Sequence, residues 1–133
     1  MAATRQEIFD KLVVDLVCQG KTSTRTDSYG YERCSYRGEN GTKCAVGMLI
    51  PDHIYEPEME GYGVTDIVNA RPELMNIPEF KTLGIPLLGD IQTAHDICKP
   101  NKAHNLPFVD TLLREMRIVA IHNSLEWHFK VVI

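Results

Sequence analysis

Apolar residues recur at helical spacing at the start of the chain, where Ile8, Phe9, Leu12, Val13, Leu16 and Val17 form one stripe. Thr4 and Glu7 make the T-x-x-E of a capping box and Gly20 stands where a C-terminal cap belongs, which predicts a helix from about Arg5 to Gln19. The pattern then lapses. The stretch KTSTRTDSYGYE is polar, rich in Ser and Thr and without apolar period, and reads as a loop. Asn40-Gly41 signals a hairpin, with Arg33 to Arg37 leading in and Thr42 to about Met48 leading out. A two-residue turn would put Cys34 and Cys44 on opposite faces, whereas a three-residue loop of Glu39, Asn40 and Gly41 would set Tyr36 opposite Cys44 with Cys34 on the same face. A competing reading starts a short helix at Cys44, uses the small Ala45 and Gly47 for close packing, and stops before Pro51.

From Pro51 to Gly63 the prolines and glycines predict loop with one turn of helix at most. Short helices are expected over Thr65 to Ala70, ended by Arg71-Pro72, and over Pro78 to Leu83. Pro86 opens a stronger one whose stripe is Leu87, Ile91, Ala94 and Cys98, ended by Lys99-Pro100-Asn101. Pro107 sits in the first turn of the next, in which Val109, Leu112, Met116, Val119 and Asn123 repeat at helical spacing. Leu125, Trp127, Phe129, Val131 and Ile133 then alternate with Glu126, His128, Lys130 and Val132, a strand by period. These elements predict an α+β fold: a mainly helical single domain over 1–133 with a small antiparallel sheet made by the hairpin around Asn40-Gly41 and the C-terminal strand.

Charge narrows the partners. With 14 basic against 18 acidic residues the formal net charge is -4, which argues against nucleic acid or anionic lipid. Asp52, Glu56, Glu58 and Glu60 form an acidic run without Lys or Arg, expected to be solvated or to meet a basic partner. Charged residues interrupt the N-terminus where a signal peptide needs an apolar core, and no apolar run approaches the ~20 residues of a membrane span, so a cytoplasmic protein is expected. The four cysteines, Cys18, Cys34, Cys44 and Cys98, contain no C-x-x-C pair and are expected as thiols, with Cys18 and Cys98 as small core residues.

The stretches C-x-Y-R from Cys34, K-C-A-V-G from Lys43, L-I-P-D-x-x-Y from Leu49, M-E-G from Met59 and I-Q-x-A-H-D from Ile91 together resemble a group of small proteins encoded by tailed phages and bacteria. The resemblance leaves out the loop Lys21 to Tyr31 and the C-terminal strand. It implies a phage or prophage accessory protein in the host cytoplasm, a kind that binds and redirects host components, as an inhibitor of a defence component does.

Three chemistries compete for the same residues. In a binding protein without turnover, Tyr36, Arg37, Lys43, Asp52 and Tyr55 would receive a host protein or a small anionic ligand, supported by a cluster of tyrosines, Tyr29, Tyr31, Tyr36, Tyr55 and Tyr62, in one third of the chain. In a thiol hydrolase, Cys44 would be the nucleophile, His95 its base and Gln92, one helical turn before His95, the group that orients the ring. In a zinc site, Cys34 and Cys44 would combine with His53 or His95, although their x9 spacing is not that of a common knuckle. A phosphohydrolase constellation of His53, His95-Asp96 and Asp110 is disfavoured by helix period, because adjacent residues diverge by roughly 100°. The first reading is preferred and requires no cofactor.

Overall fold

The computed structural model describes residues 3–98 and 108–129 and shows six α-helices with a two-stranded antiparallel sheet among them. Helix α1, Arg5–Gln19, has the predicted bounds and caps: Thr4 Oγ1 accepts the Glu7 amide at 3.1 Å, Glu7 Oε1 accepts the Thr4 amide at 3.0 Å, and Gly20 closes the helix at φ 74°. Its stripe buries Ile8, Phe9, Leu12, Val13 and Leu16. Cys18 is exposed, against expectation, since two residues beyond Leu16 the side chain has turned roughly 200° from the stripe. All four cysteines are free, and Cys98 is buried as expected.

Helices α2, Ala45–Leu49, α3, Val64–Ala70, and α4, Pro78–Leu83, are short. Helix α5, Ile85–Ile97, contributes Leu87, Leu88, Ile91 and Ala94 to the interior and packs along α6, Phe108–His122, which contributes Leu112, Met116, Val119 and Ala120. These side chains, with those of α1, form one contiguous apolar cluster. Each large aliphatic side chain so buried contributes roughly 1.5–3 kcal/mol, which holds helices too short to persist alone. The predicted ends at Lys99-Pro100-Asn101 and the Pro107 start lie outside the described residues.

The sheet lies elsewhere than predicted. Strand β1, Thr24–Thr26, pairs with β2, Glu32–Cys34, in the register Thr24 with Cys34, Arg25 with Arg33 and Thr26 with Glu32. Both strands fall at or next to the stretch read as loop, because this ribbon leaves most of its residues exposed and so carries no apolar alternation. Around Asn40 and Gly41 the chain does reverse through the three-residue register, with left-handed φ of 60° and 74° and the Gly38 amide on the Thr42 carbonyl at 2.8 Å. It forms only an isolated bridge, Arg37 to Lys43, before α2 begins.

No strand forms over Leu125–Phe129. The apolar phase is real, since Leu125, Trp127 and Phe129 pack against the core, with Trp127 edge-on to Phe9 at 6.4 Å. The neighbour is helix α1 rather than a strand edge: Gln6 Oε1 accepts the Glu126 amide at 2.8 Å and Gln6 Nε2 donates to the Glu126 carbonyl at 2.9 Å. One side-chain amide thus gives the segment the pair of bonds a strand neighbour would. Residues Lys130, Val131, Val132 and Ile133 lie outside the described residues. No helix among the described residues is long and apolar enough to cross a membrane.

Candidate functional site

The stretch K-C-A-V-G has a structural logic. Cys44 is the N-cap of α2, and its Sγ accepts the Gly47 amide at 3.3 Å. The Val46 amide, one of the unpaired donors of the first turn, goes to Gln92 Oε1 on α5 at 3.0 Å. Gly47 lies against the Tyr36 backbone so closely that a β-carbon there would stand 2.1 Å from the Tyr36 carbonyl oxygen. Glycine is required here by contact, not by its backbone angles.

Glu60, which reads in sequence as one more solvated carboxylate, is the hub of the neighbouring loop. Its carboxylate accepts the Tyr36 amide at 2.9 Å, the Arg37 amide at 3.1 Å and the Tyr55 hydroxyl at 2.6 Å. Around it Arg37 donates to Asp52 Oδ1 at 2.6 Å and to the Ile50 carbonyl at 2.7 Å, with its guanidinium 4.8 Å from the centre of the Tyr55 ring. Lys43 Nζ stands 3.8 Å from the same Asp52 oxygen. Asp52 is held below the usual carboxylate range by the bond and charge of Arg37, then by Lys43. Arg37, Lys43, Asp52 and Tyr55 therefore line one open depression of about 470 Å³, which Arg25 completes with its Nε on the Arg37 carbonyl at 2.6 Å. Tyr36 is set apart: it is buried, its hydroxyl donates to the Tyr62 carbonyl at 2.6 Å, and burial pushes its pKa up.

A larger cleft of about 760 Å³ is bounded by the ribbon, by Tyr36 and the Glu60–Gly63 loop, and by Gln92 and Asp96 of α5. Gln92, fixed through its oxygen by Val46, turns its Nε2 to both Asp96 oxygens at 3.3 Å. Burial raises the Asp96 pKa to about 6, opposed by hydrogen bonds from Gln92 and Cys34. At the tip of the ribbon Asp27 Oδ1 accepts the amides of Tyr29 and Tyr31 at 2.9 and 3.0 Å, and Oδ2 receives Arg33 Nε at 3.0 Å. The loop so ordered presents both tyrosines to solvent; Tyr29, Tyr31 and Tyr62 are 84%, 65% and 61% exposed.

The hydrolase residues are placed against that chemistry. Cys44 is fully buried, and burial pushes its thiol up to about 12 despite the Gly47 amide and Gln92, which favour the thiolate. His95 is also fully buried, its ring edge-on to Phe108 at 5.9 Å, with neither nitrogen in a geometrically complete hydrogen bond among the described residues and only the Lys21 backbone near enough to act on it. Burial drives it down to about 4, although the Lys21 backbone opposes the shift. Gln92 bonds to Val46 and Asp96 and gives His95 no orienting contact. Of the zinc alternative, Cys34 is half-buried at the cleft, Cys44 and His95 are in the core and His53 is exposed; no group of three or more metal-ligating side chains is assembled among the described residues. Asp110 on α6 joins no such group.

Asp27 and the exposed ribbon were not foreseen as site elements, while Glu60 figured in the chemistry only through the acidic run and Asp96 only through the disfavoured phosphohydrolase constellation. The D-S-Y-G turn between Thr24–Thr26 and Glu32–Cys34, each with a central Arg, was the available signal for the ribbon. Compared with protein-family models, with curated proteins and with solved structures, the chain matches none.

Proposed function

We propose that this chain is a phage-type accessory protein of the host cytoplasm that binds a host protein, as an inhibitor of a host or defence component does, and turns over no substrate. The observation that carries this reading is the trio Tyr29, Tyr31 and Tyr62, exposed on the ribbon tip and beside the cleft while the other apolar groups of this region are packed inside. Tyrosines held out by an ordered loop offer contact area at low entropic cost, which is how binding surfaces gain affinity. The separate depression lined by Arg25, Arg37 and Lys43, in which Arg37 and Lys43 meet the one exposed carboxylate of Asp52, supports a second contact with an anionic group, on the partner's surface or as a small ligand. The unreactive states of Cys44 and His95 favour binding over hydrolysis.

The test compares capture from host lysate by the parent and by a Tyr29→Ala/Tyr31→Ala/Tyr62→Ala variant. All three side chains are exposed, so the variant should keep the parent's thermal unfolding. Retention of the specific partner should fall at least tenfold. Equal retention by both proteins would contradict the reading.

A further inference from the structure

The cleft bordered by the ribbon contains an organised carboxylate that no cation pairs with among the described residues. Asp96 is withdrawn from bulk water, receives among the described residues the long bonds from Gln92 and a contact with Cys34, and ion-pairs with neither arginine lining the same cleft. Those arginines are engaged elsewhere, Arg33 with Asp27 and Arg25 with the Arg37 carbonyl. The cleft as a whole holds three carboxylates, Asp27, Glu60 and Asp96, against the two guanidiniums. Gln92 is locked by the Val46 amide, so Asp96 is held in place before any ligand arrives. Tyr62, exposed and lining the same cleft, adds an aromatic ring.

A carboxylate fixed in a partly dry cleft that also presents an exposed aromatic ring is complementary to a planar, donor-rich cation, whose fork of N–H groups the carboxylate satisfies while the cation's face stacks on the ring. We propose that this cleft receives the guanidinium of an arginine side chain of the partner protein, paired with Asp96 and stacked on Tyr62. The inference rests on the partner-binding reading above and names the partner's anchoring group. Arginine also suits the role energetically, since it is among the residues that dominate interface affinity. Among the described residues the groups near Asp96 are Gln92 on its own helix, Cys98 at the C-cap of that helix, Cys34 on β2, and Tyr36 and Cys44. None of them is a cation that would replace the ligand.

The test titrates N-acetyl-arginine amide into the ¹⁵N-labelled protein, with N-acetyl-lysine amide as the comparison. Binding of the arginine probe with a Kd of about 1 mM is expected, in the range one anchoring side chain supplies, with shifts confined to the cleft and the lysine probe at least fivefold weaker. Asp96→Asn should weaken the arginine probe at least tenfold and Tyr62→Ala severalfold. In the parent, affinity should fall as the pH drops through about 6, where Asp96 takes up its proton. That profile needs no variant to fold. Equal binding of both probes, binding unaffected by Asp96→Asn, or a flat profile between pH 7 and pH 5 would overturn the assignment. The probe is read on the isolated protein. A negative titration with tyrosine-dependent capture intact overturns the arginine anchor alone, and loss of that dependence overturns the reading beneath it.

Discussion

Substituting Gly47 by alanine tests how the K-C-A-V-G stretch is built. In an ordinary helix this change is stabilising by up to about 1 kcal/mol, because alanine restricts the unfolded chain and favours the helix. At Gly47 the added carbon would stand 2.1 Å from the Tyr36 carbonyl oxygen and 2.9 Å from its carbon, and backbone atoms cannot swing aside as a side chain would. Helix α2 must therefore move away from the Tyr36 backbone. That movement strains the Cys44 amide bond to the Tyr36 carbonyl, 3.3 Å, and the Val46 bond to Gln92. Overpacking of this kind costs about 1–3 kcal/mol, and each hydrogen bond weakened adds about 1 kcal/mol. After the propensity gain is subtracted, a net loss of about 2 kcal/mol is expected for Gly47→Ala by urea unfolding with an unchanged slope. Gly89, within α5, has nothing within 4 Å of its added carbon and serves as the control. Gly89→Ala should be neutral or stabilising. A Gly47→Ala protein as stable as its Gly89→Ala counterpart would refute the close-contact reasoning.

Trp127→Ala should destabilise by about 3 kcal/mol, the low end for a large aromatic because the ring is only partly buried; an unchanged urea midpoint would remove the C-terminal segment from the core. His128 bonds to Asp10 at 2.7 Å and to Glu126 at 3.0 Å, and these bonds raise its pKa above the ordinary value. Its contribution is therefore complete below about pH 6.5 and lost as the pH rises through the higher folded value. The Trp127 fluorescence should report loosening on that upward titration, and His128→Gln should abolish the transition. Asp96 behaves with the opposite sense, since an acid whose pKa is raised to about 6 by folding lowers stability as the pH climbs from about 4 through 6. Asp96→Asn should consequently stabilise the fold at pH 7, on the order of 2 kcal/mol, with no gain at pH 3.5; a destabilised variant at pH 7 would show that the carboxylate is held by bonds stronger than those to Gln92 and Cys34.

The helices were legible because burial writes a period into them. The stripe of α1, the capping box at Thr4 and Glu7, and the Pro78–Leu83 segment appear in the structure with the bounds read from sequence. The ribbon of β1 and β2 was not, since strands exposed on both faces have no alternation to read. The C-terminal alternation was legible as burial but not as pairing, because period identifies a face and says nothing of the neighbour, here the side chain of Gln6. Around the site, helix period separated His95 from Asp96 correctly, one facing the core and the other the cleft. It could not tell that Gln92 sides with Asp96, since residues three and four away are both neighbours on a helix. The setting of Cys44 and most of the role of Glu60 depend on contacts 23 to 46 residues apart in the chain. Local pattern carries no trace of those contacts.

Whether the Cys34–Tyr55 stretch supports a binding face or performs chemistry is decided most directly by the alkylation rate of each cysteine in the folded protein, followed by mass spectrometry after timed exposure to iodoacetamide at pH 7. Cys18, exposed on α1, should react first. Cys44 and Cys98, buried and with thiols pushed up to about 12, should react at least a hundredfold more slowly than free cysteine until the chain is unfolded. A Cys44 that outpaces free cysteine, and loses that advantage in His95→Ala, would make the stretch a thiol active site and contradict the binding reading.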